Sequence, residues 1–221
     1  LSILKNSRLY LLFIVVFLPL TGCFGHRTSE EKIYEVLEKV VALEEPFEEQ
    51  QEQLVKLEKD EKALFEKIIA LGMDEYGQIV KMSDEALTII KKRKEHLLKE
   101  EKSMKASSKE FAKLTSIIDD INDQELKKHA EQLYNIMMDR YKTYHILNKH
   151  YSKGLEYDKE LYEMFKQEDI TLEQLETQIH IINESYKKVI EANKAFNKLT
   201  EDYNNAKRNF YEKAKFKIKS H

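Results

Sequence analysis

Residues 36–71 read VLEKVVALEEPFEEQQEQLVKLEKDEKALFEKIIAL. Val36, Val40, Leu43, Phe47, Gln50, Leu54, Leu57, Glu61, Leu64, Ile68 and Leu71 follow one another at alternating steps of four and three. That spacing keeps one face of an α-helix apolar for about ten turns, which is the pattern of a heptad seam. Gln50 and Glu61 are its two polar interruptions. Pro46 lies inside the run and removes a backbone donor, yet the phase is kept from Leu43 to Phe47, so the reading is a kinked helix and not a boundary.

The same logic extends in both directions. Thr28 and Glu31 have the spacing of a capping box and start this first helix. Gly72 and Gly77 bracket a first turn, with Ser83 as a later candidate cap. A second helix carries Ile79, Met82, Ala86, Ile90, Leu97, Met104, Phe111, Leu114 and Ile118, with lysines crowded between them. Asp119 to Asn122 make a second turn, and Asn122 with Glu125 offers a cap for a third helix through Leu126, Leu133, Met137, Tyr141, Tyr144, Tyr151 and Phe165. Gly154 there costs about 1 kcal/mol relative to alanine and marks a candidate break. Gln167 to Ile170 form the third turn, Thr171 with Gln174 the third capping box, and a fourth seam runs from Leu172 to Ile218, drifting by one position near Val189.

Composition agrees. Charged residues make up 35% of the chain, with 5 glycines, 2 prolines and no tryptophan. So few breakers exclude a turn-rich β fold, and the regular apolar spacing excludes disorder. Segments of roughly 40 to 48 residues, at about 1.5 Å each, make helices some 60 to 70 Å long. Short connections make neighbours antiparallel. The expected fold is all-α: an elongated antiparallel bundle of three or four long helices with coiled-coil-like seams, occupying residues 28–221.

The first 22 residues have another character. Lys5 and Arg8 precede an apolar run from Leu9 to Leu20, broken by Pro19 and closed by Thr21 and Gly22, in the order of a signal peptide. Leu1 stands where a start methionine is expected, as an alternative start codon would give. At about a dozen residues the run is too short for a permanent span, which needs about 20. Leu20-Thr21-Gly22-Cys23 resembles the lipobox of bacterial lipoproteins. That resemblance implies cleavage before Cys23 and a diacylglyceryl group on its thiol, with residues 23–27 as a short tether. Cys23 is the single cysteine of the chain, so no intramolecular disulfide competes for it. Two acyl chains give stable anchoring where one is marginal. The expected location is therefore the outer face of the cell membrane.

Enzyme signatures are missing from the chain: no CxxC, HExxH, GxSxG or glycine-rich phosphate loop occurs. A dimetal site in a helical bundle needs Glu-x-x-His on two helices, and none of the seven histidines has a glutamate three residues before it. No catalytic residue, no metal site and no cofactor beyond the covalent lipid are expected. The formal net charge of -3 gives no support to nucleic-acid binding. Local charge is less even. Nine glutamates from Glu30 to Glu52 make the first helix acidic, and Lys207, Arg208, Lys213, Lys215, Lys217 and Lys219 make the end of the chain basic. Those two stretches either pair with each other or leave the lysines for anionic headgroups. Lys91, Lys92, Arg93 and Lys94 form a second basic concentration, read either as a solvated helix face or as a contact for an anionic polymer. The tyrosines at seam positions read as core, with the stacking of sugars on their rings as the alternative.

The lipobox, the immediate entry into charged helices, the stretches Arg140-Tyr141-Lys142 to Leu147-Asn148 and Lys159-Glu160-Leu161-Tyr162-Glu163, and the tyrosine- and asparagine-rich end from Asn183 to Tyr211 resemble the YkyA-type cell-wall-binding lipoproteins of Gram-positive bacteria. The resemblance implies a wall-associated lipoprotein facing outward. The function expected is that of a non-catalytic module that binds peptidoglycan or teichoic acid or spaces the membrane from the wall. Two alternatives stand beside it: an accessory factor or hydrolase of wall turnover, and an adaptor that offers a helix face to an envelope protein.

Overall fold

The computed structural model describes residues 27–71 and 75–215. All regular structure among them is helical: α1 (Ser29–Ala70), α2 (Tyr76–Phe111), the short α3 (Leu114–Asp119), α4 (Gln124–Met164) and α5 (Leu172–Lys213). The four long helices form an all-α bundle of the expected class. Leu20 to Cys23, Lys217 and Lys219 lie outside the described residues.

The seams explain the packing. On α1, Val40, Phe47, Leu54 and Ile68 are buried, and so are the two interruptions Gln50 and Glu61. Pro46 sits inside an unbroken α1, where Gln50 Nε2 donates to the Pro46 carbonyl at 2.9 Å. The side chain of the next turn thus occupies the acceptor of the proline itself.

Two compact units divide the bundle, and each long helix contributes one segment to each. Unit 1 comprises Pro46–Lys102 and Tyr144–Lys194. Its core includes Leu54, Ile68, Ile90, Leu97, Leu155 and Ile182. There α1 and α2 are antiparallel, since Gln51 meets Glu100 while Glu61 meets Arg93. Unit 2 comprises, among the described residues, 27–45, Ser103–Thr143 and 195–215. Its centre is Phe111, fully buried, with ring centroids of Tyr134, Tyr141 and Tyr203 at 5.6, 6.0 and 6.3 Å. At such separations aromatic pairs gain energy beyond their buried area.

Two of the three expected capping boxes form. Thr28 accepts from the Glu31 amide at 3.2 Å while Glu31 accepts from the Thr28 amide at 3.0 Å, and Thr171 and Gln174 do the same at 3.2 and 2.9 Å. The third expectation needs correction. Asp123, and not Asn122, caps α4: its Oδ1 accepts from the amides of Glu125 and Leu126, both at 2.9 Å. Ser83 caps nothing, because α2 has already begun at Tyr76 and Ser83 is buried within it. The second helix does not run unbroken to Ile118 either. It ends at Phe111 and resumes as α3 after Ala112 and Lys113, with the Thr115 hydroxyl turned back onto the Ala112 carbonyl at 3.1 Å.

Gly154 makes no break in α4. A Cβ there would stand 3.3 Å from Cζ of Tyr186, so the glycine is the space into which that ring fits. An N-cap serine, threonine, asparagine or aspartate is worth about 1 kcal/mol over alanine. Asp123→Ala is therefore expected to lower unfolding stability by about 1 kcal/mol in urea denaturation. Asn122→Ala is expected to stay within about 0.5 kcal/mol of the parent.

Candidate functional site

Chemistry-bearing side chains concentrate at one buried arginine in each unit. In unit 1, Ala86, Ile90, Arg93 and Leu97 follow the seam of α2, so the arginine occupies a core position and is only 3% exposed. α1 brings Glu58 and Glu61 to it, α4 brings Tyr151 and Asp158, and α5 brings Tyr186. Nη1 bonds Glu61 and reaches Asp158 at 3.4 Å. Nη2 reaches Glu58 at 3.4 Å and donates to the hydroxyls of Tyr151 at 2.8 Å and Tyr186 at 3.1 Å. The two phenols pass their own protons onward, Tyr151 to Glu58 at 2.6 Å and Tyr186 to Asp158. One turn along α2 from Leu97, buried Glu100 accepts from Gln51.

Unit 2 repeats the device with fewer parts. Arg140, 1% exposed, forks onto Glu44 at 3.0 and 2.9 Å. Its Nε donates to Thr200 at 2.9 Å, and its guanidinium carbon lies 4.7 Å from the Phe196 ring centre. Ser107 donates to Glu44 at 2.7 Å and lies 2.6 Å from the Tyr141 hydroxyl. Burial works against the Arg140 charge, but the facing Glu44 outweighs it and holds the guanidinium above its ordinary pKa. The fork is matched and nothing in it is left unpaired.

The carboxyls of unit 1 are held differently. Burial pushes Glu61 and Asp158 upward, against the pull of Arg93. Burial, with Glu58 beside it, pushes Glu100 up to about 8. Perturbed carboxyls of this kind are candidates for acid–base chemistry, yet these three are 7%, 5% and 3% exposed and bonded to groups inside the bundle. A shallow groove of about 300 Å³ at the start of α5 is lined by Met164, Glu173, Gln174, Thr177 and Gln178. Of its polar groups, Gln174 serves as the cap described above, Gln178 donates to the Tyr157 carbonyl at 2.9 Å and Thr177 donates to the Glu173 carbonyl at 2.8 Å. Among the described residues no group of three or more histidine, cysteine or acidic side chains is arranged to hold a metal.

The basic stretches divide. Arg93 is withdrawn from the set of polymer or membrane contacts, because it points into the core. Lys91, Lys92 and Lys94 on either side of it are exposed. With Lys99 and Lys102 they give α2 an outward face of five lysines and one carboxylate, Glu95, around Leu98, which is 57% exposed. Of the basic end, Lys207 turns in to Glu38 at 3.6 Å, a match between chain end and acidic α1. Lys213 instead pairs with Glu125 of α4 at 2.6 Å. Lys215 is exposed and left-handed at φ 60° just past α5, where helices commonly end in that conformation. Glu44, counted with the acidic surface of α1, is buried at 3%. Most seam tyrosines are core: Tyr141, Tyr144, Tyr151, Tyr162 and Tyr203 are buried, and Tyr134, Tyr157 and Tyr186 half-buried.

Residues 28–213 match the family described as "Putative cell-wall binding lipoprotein" (YkyA). Over 207 residues, 94% of this chain and 92% of the relative, the sequence is 37% identical to "Uncharacterized lipoprotein YkyA" of Bacillus subtilis (strain 168). The fold is similar to the 1.6 Å crystal structure of a conserved Staphylococcus aureus protein of unknown function, with a TM-score of 0.64, 22% identity, and 84% of this chain and 97% of that one covered.

Leaving a buried ion without its partner costs about 3–5 kcal/mol, whereas replacing both members by apolar groups is often neutral. Arg140→Met alone is thus expected to destabilise the protein by about 3–5 kcal/mol in chemical denaturation. Adding Glu44→Leu to it is expected to restore most of that loss.

Proposed function

Since the chain belongs to the YkyA family of cell-wall-binding lipoproteins, we propose that it is a non-catalytic binding module, lipid-anchored on the outer face of the cell membrane, whose α2 lysines engage an anionic wall polymer. The observation that carries this reading is the outward face of α2. None of Lys91, Lys92, Lys94, Lys99 and Lys102 has an ion-pair partner among the described residues, although lysines elsewhere pair repeatedly with neighbouring carboxylates. Unpaired cations on one helix face supply the sequence-independent attraction that a repeating polyanion such as teichoic acid needs. Exposed Leu98 among them adds an apolar point of contact.

Two further observations support the parts of the reading. The carboxyls with the most perturbed titration are enclosed and engaged, which favours binding over catalysis. No helix among the described residues is long and apolar enough to cross a membrane, and Cys23 supplies the lipid attachment in this proposal, with the lipobox residues Leu20, Thr21 and Gly22 directing cleavage.

Cosedimentation of the purified protein with cell-wall sacculi, with and without teichoic acids, tests the reading. Binding is expected to need the acids, to fall with salt, and to weaken about tenfold or more when Lys91, Lys92 and Lys94 are all changed to Gln, given about 1 kcal/mol for each lysine at an anionic surface. Salt-resistant binding to bare peptidoglycan by that variant overturns it. For the anchor, Cys23→Ala is expected to move the protein from the membrane fraction to uncleaved precursor or medium. A cleaved form retained on membranes excludes lipidation at Cys23.

A further inference from the structure

Unit 1 encloses more acid than base. Glu61, Asp158 and Glu100 are each more than nine-tenths buried, and Glu58 sits at their edge with its side chain 16% exposed. A single guanidinium, Arg93, meets Glu58, Glu61 and Asp158, and Glu100 is tied to the group through Glu58. The groups around this cluster come from every packed helix. α1 contributes Glu58, Glu61 and Gln51, and α2 contributes Arg93 and Glu100, with His96 bonded to Gln50 nearby at 2.8 Å. α4 contributes Tyr144, Tyr151, Asp158 and Tyr162, and α5 contributes Tyr186. The phenols are neutral donors and cancel no charge. Were all four carboxyls ionised, the cluster would hold three more negative charges than positive with three of the four withdrawn from water, where an uncompensated ion is strongly disfavoured. Unit 2 is the internal contrast, since its buried arginine faces a single carboxylate, Glu44.

We propose that the carboxyl cluster around Arg93 is a proton-operated switch, in which unit 1 stays closed while the cluster holds protons and opens when a rise in pH strips them, with unit 2 unresponsive. The titration of the members runs in the required direction. Burial and Glu58 raise Glu100 from 4.5 to about 8, and burial raises Glu61 and Asp158 despite Arg93. A carboxyl whose pKa is higher folded than unfolded contributes stability that is complete below the unfolded value. For Glu100 that contribution is lost as the pH climbs from 4.5 toward about 8. Gly154 lets the Tyr186 ring pack so closely that a Cβ would stand only 3.3 Å from its Cζ, and the hydroxyl of that ring bridges Arg93 and Asp158.

Hydrogen exchange of the whole chain, purified in detergent and expressed as protection factors at pH 5.5 and 8.5, tests the proposal. Protection of peptides from Pro46–Lys102 and Tyr144–Lys194 is expected to fall about tenfold or more at the higher pH, one unit of differential proton affinity being a factor of ten. Peptides from Ser103–Thr143 are expected to change by less than about twofold. Glu100→Gln and, separately, Glu61→Gln are expected to flatten the unit 1 response while keeping the shape of the side chain. The wild-type profile decides even where a variant fails to fold: equal loss in both units, or no loss in unit 1, overturns the switch. An undiminished response in both folded variants overturns the assignment to this cluster.

Discussion

A guanidinium taken out of water must be met by an anion and by hydrogen bonds, or the packing around it is not available to the chain. Each unit of this bundle is assembled under that constraint. Arg93 requires α1, α4 and α5 to arrive with Glu58, Glu61, Tyr151, Asp158 and Tyr186 at one level. Arg140 makes the same demand of Glu44 and Thr200. Heptad seams built from leucine and isoleucine tolerate a slip of one repeat, since the next apolar layer is similar to the last. A slip here strands an arginine beside apolar groups. The buried ions therefore define register in helices whose apolar faces define it poorly.

Helix, seam and antiparallel order were legible in the residues because the 3.6-residue period is a property of local spacing. The buried centres were half legible. In α2 the apolar seam positions leave gaps of seven between Ile90, Leu97 and Met104, and the residues that fill the gaps in phase are Arg93 and Glu100. In α4, Asp158 follows Leu155 by three and precedes Leu161 by three, and Arg140 follows Met137 by three. A missing seam position occupied by a charged residue was the signal. In the lysine-rich stretch Lys91 to Lys94, the charge of the neighbours masks the seam phase of Arg93. Arginine is also the better cation for that place, since its fork matches carboxylates and its cation packs over a ring, as the Arg140 guanidinium carbon does 4.7 Å from the Phe196 ring centre.

The turns were less legible for a different reason. Asn122 and Asp123 are both good caps, and their choice depends on which of two neighbouring residues leaves the helical conformation first, a matter of fractions of a kcal/mol. The break between α2 and α3 has no glycine or proline to announce it. Gly154 is the converse case: a residue that usually weakens helices keeps this one intact around a ring from α5. The candidate features divide along the same line, with the α2 lysines readable as charge and the family readable from the whole chain, while the enclosed carboxyls needed all four helices in place.

The phenols have a consequence for how the molecule can be observed. The chain carries twelve tyrosines and no tryptophan, so its near-ultraviolet absorption and intrinsic emission come from phenol rings, undiluted by indole. Tyr151 and Tyr186 hold their hydroxyls against Arg93 in one unit, and Tyr141 bonds Ser107 beside the Arg140–Glu44 fork in the other. The rings that close each ionic centre are also its chromophores. The bundle carries optical labels of its own at its two ionic centres, and no dye has to be introduced to observe them.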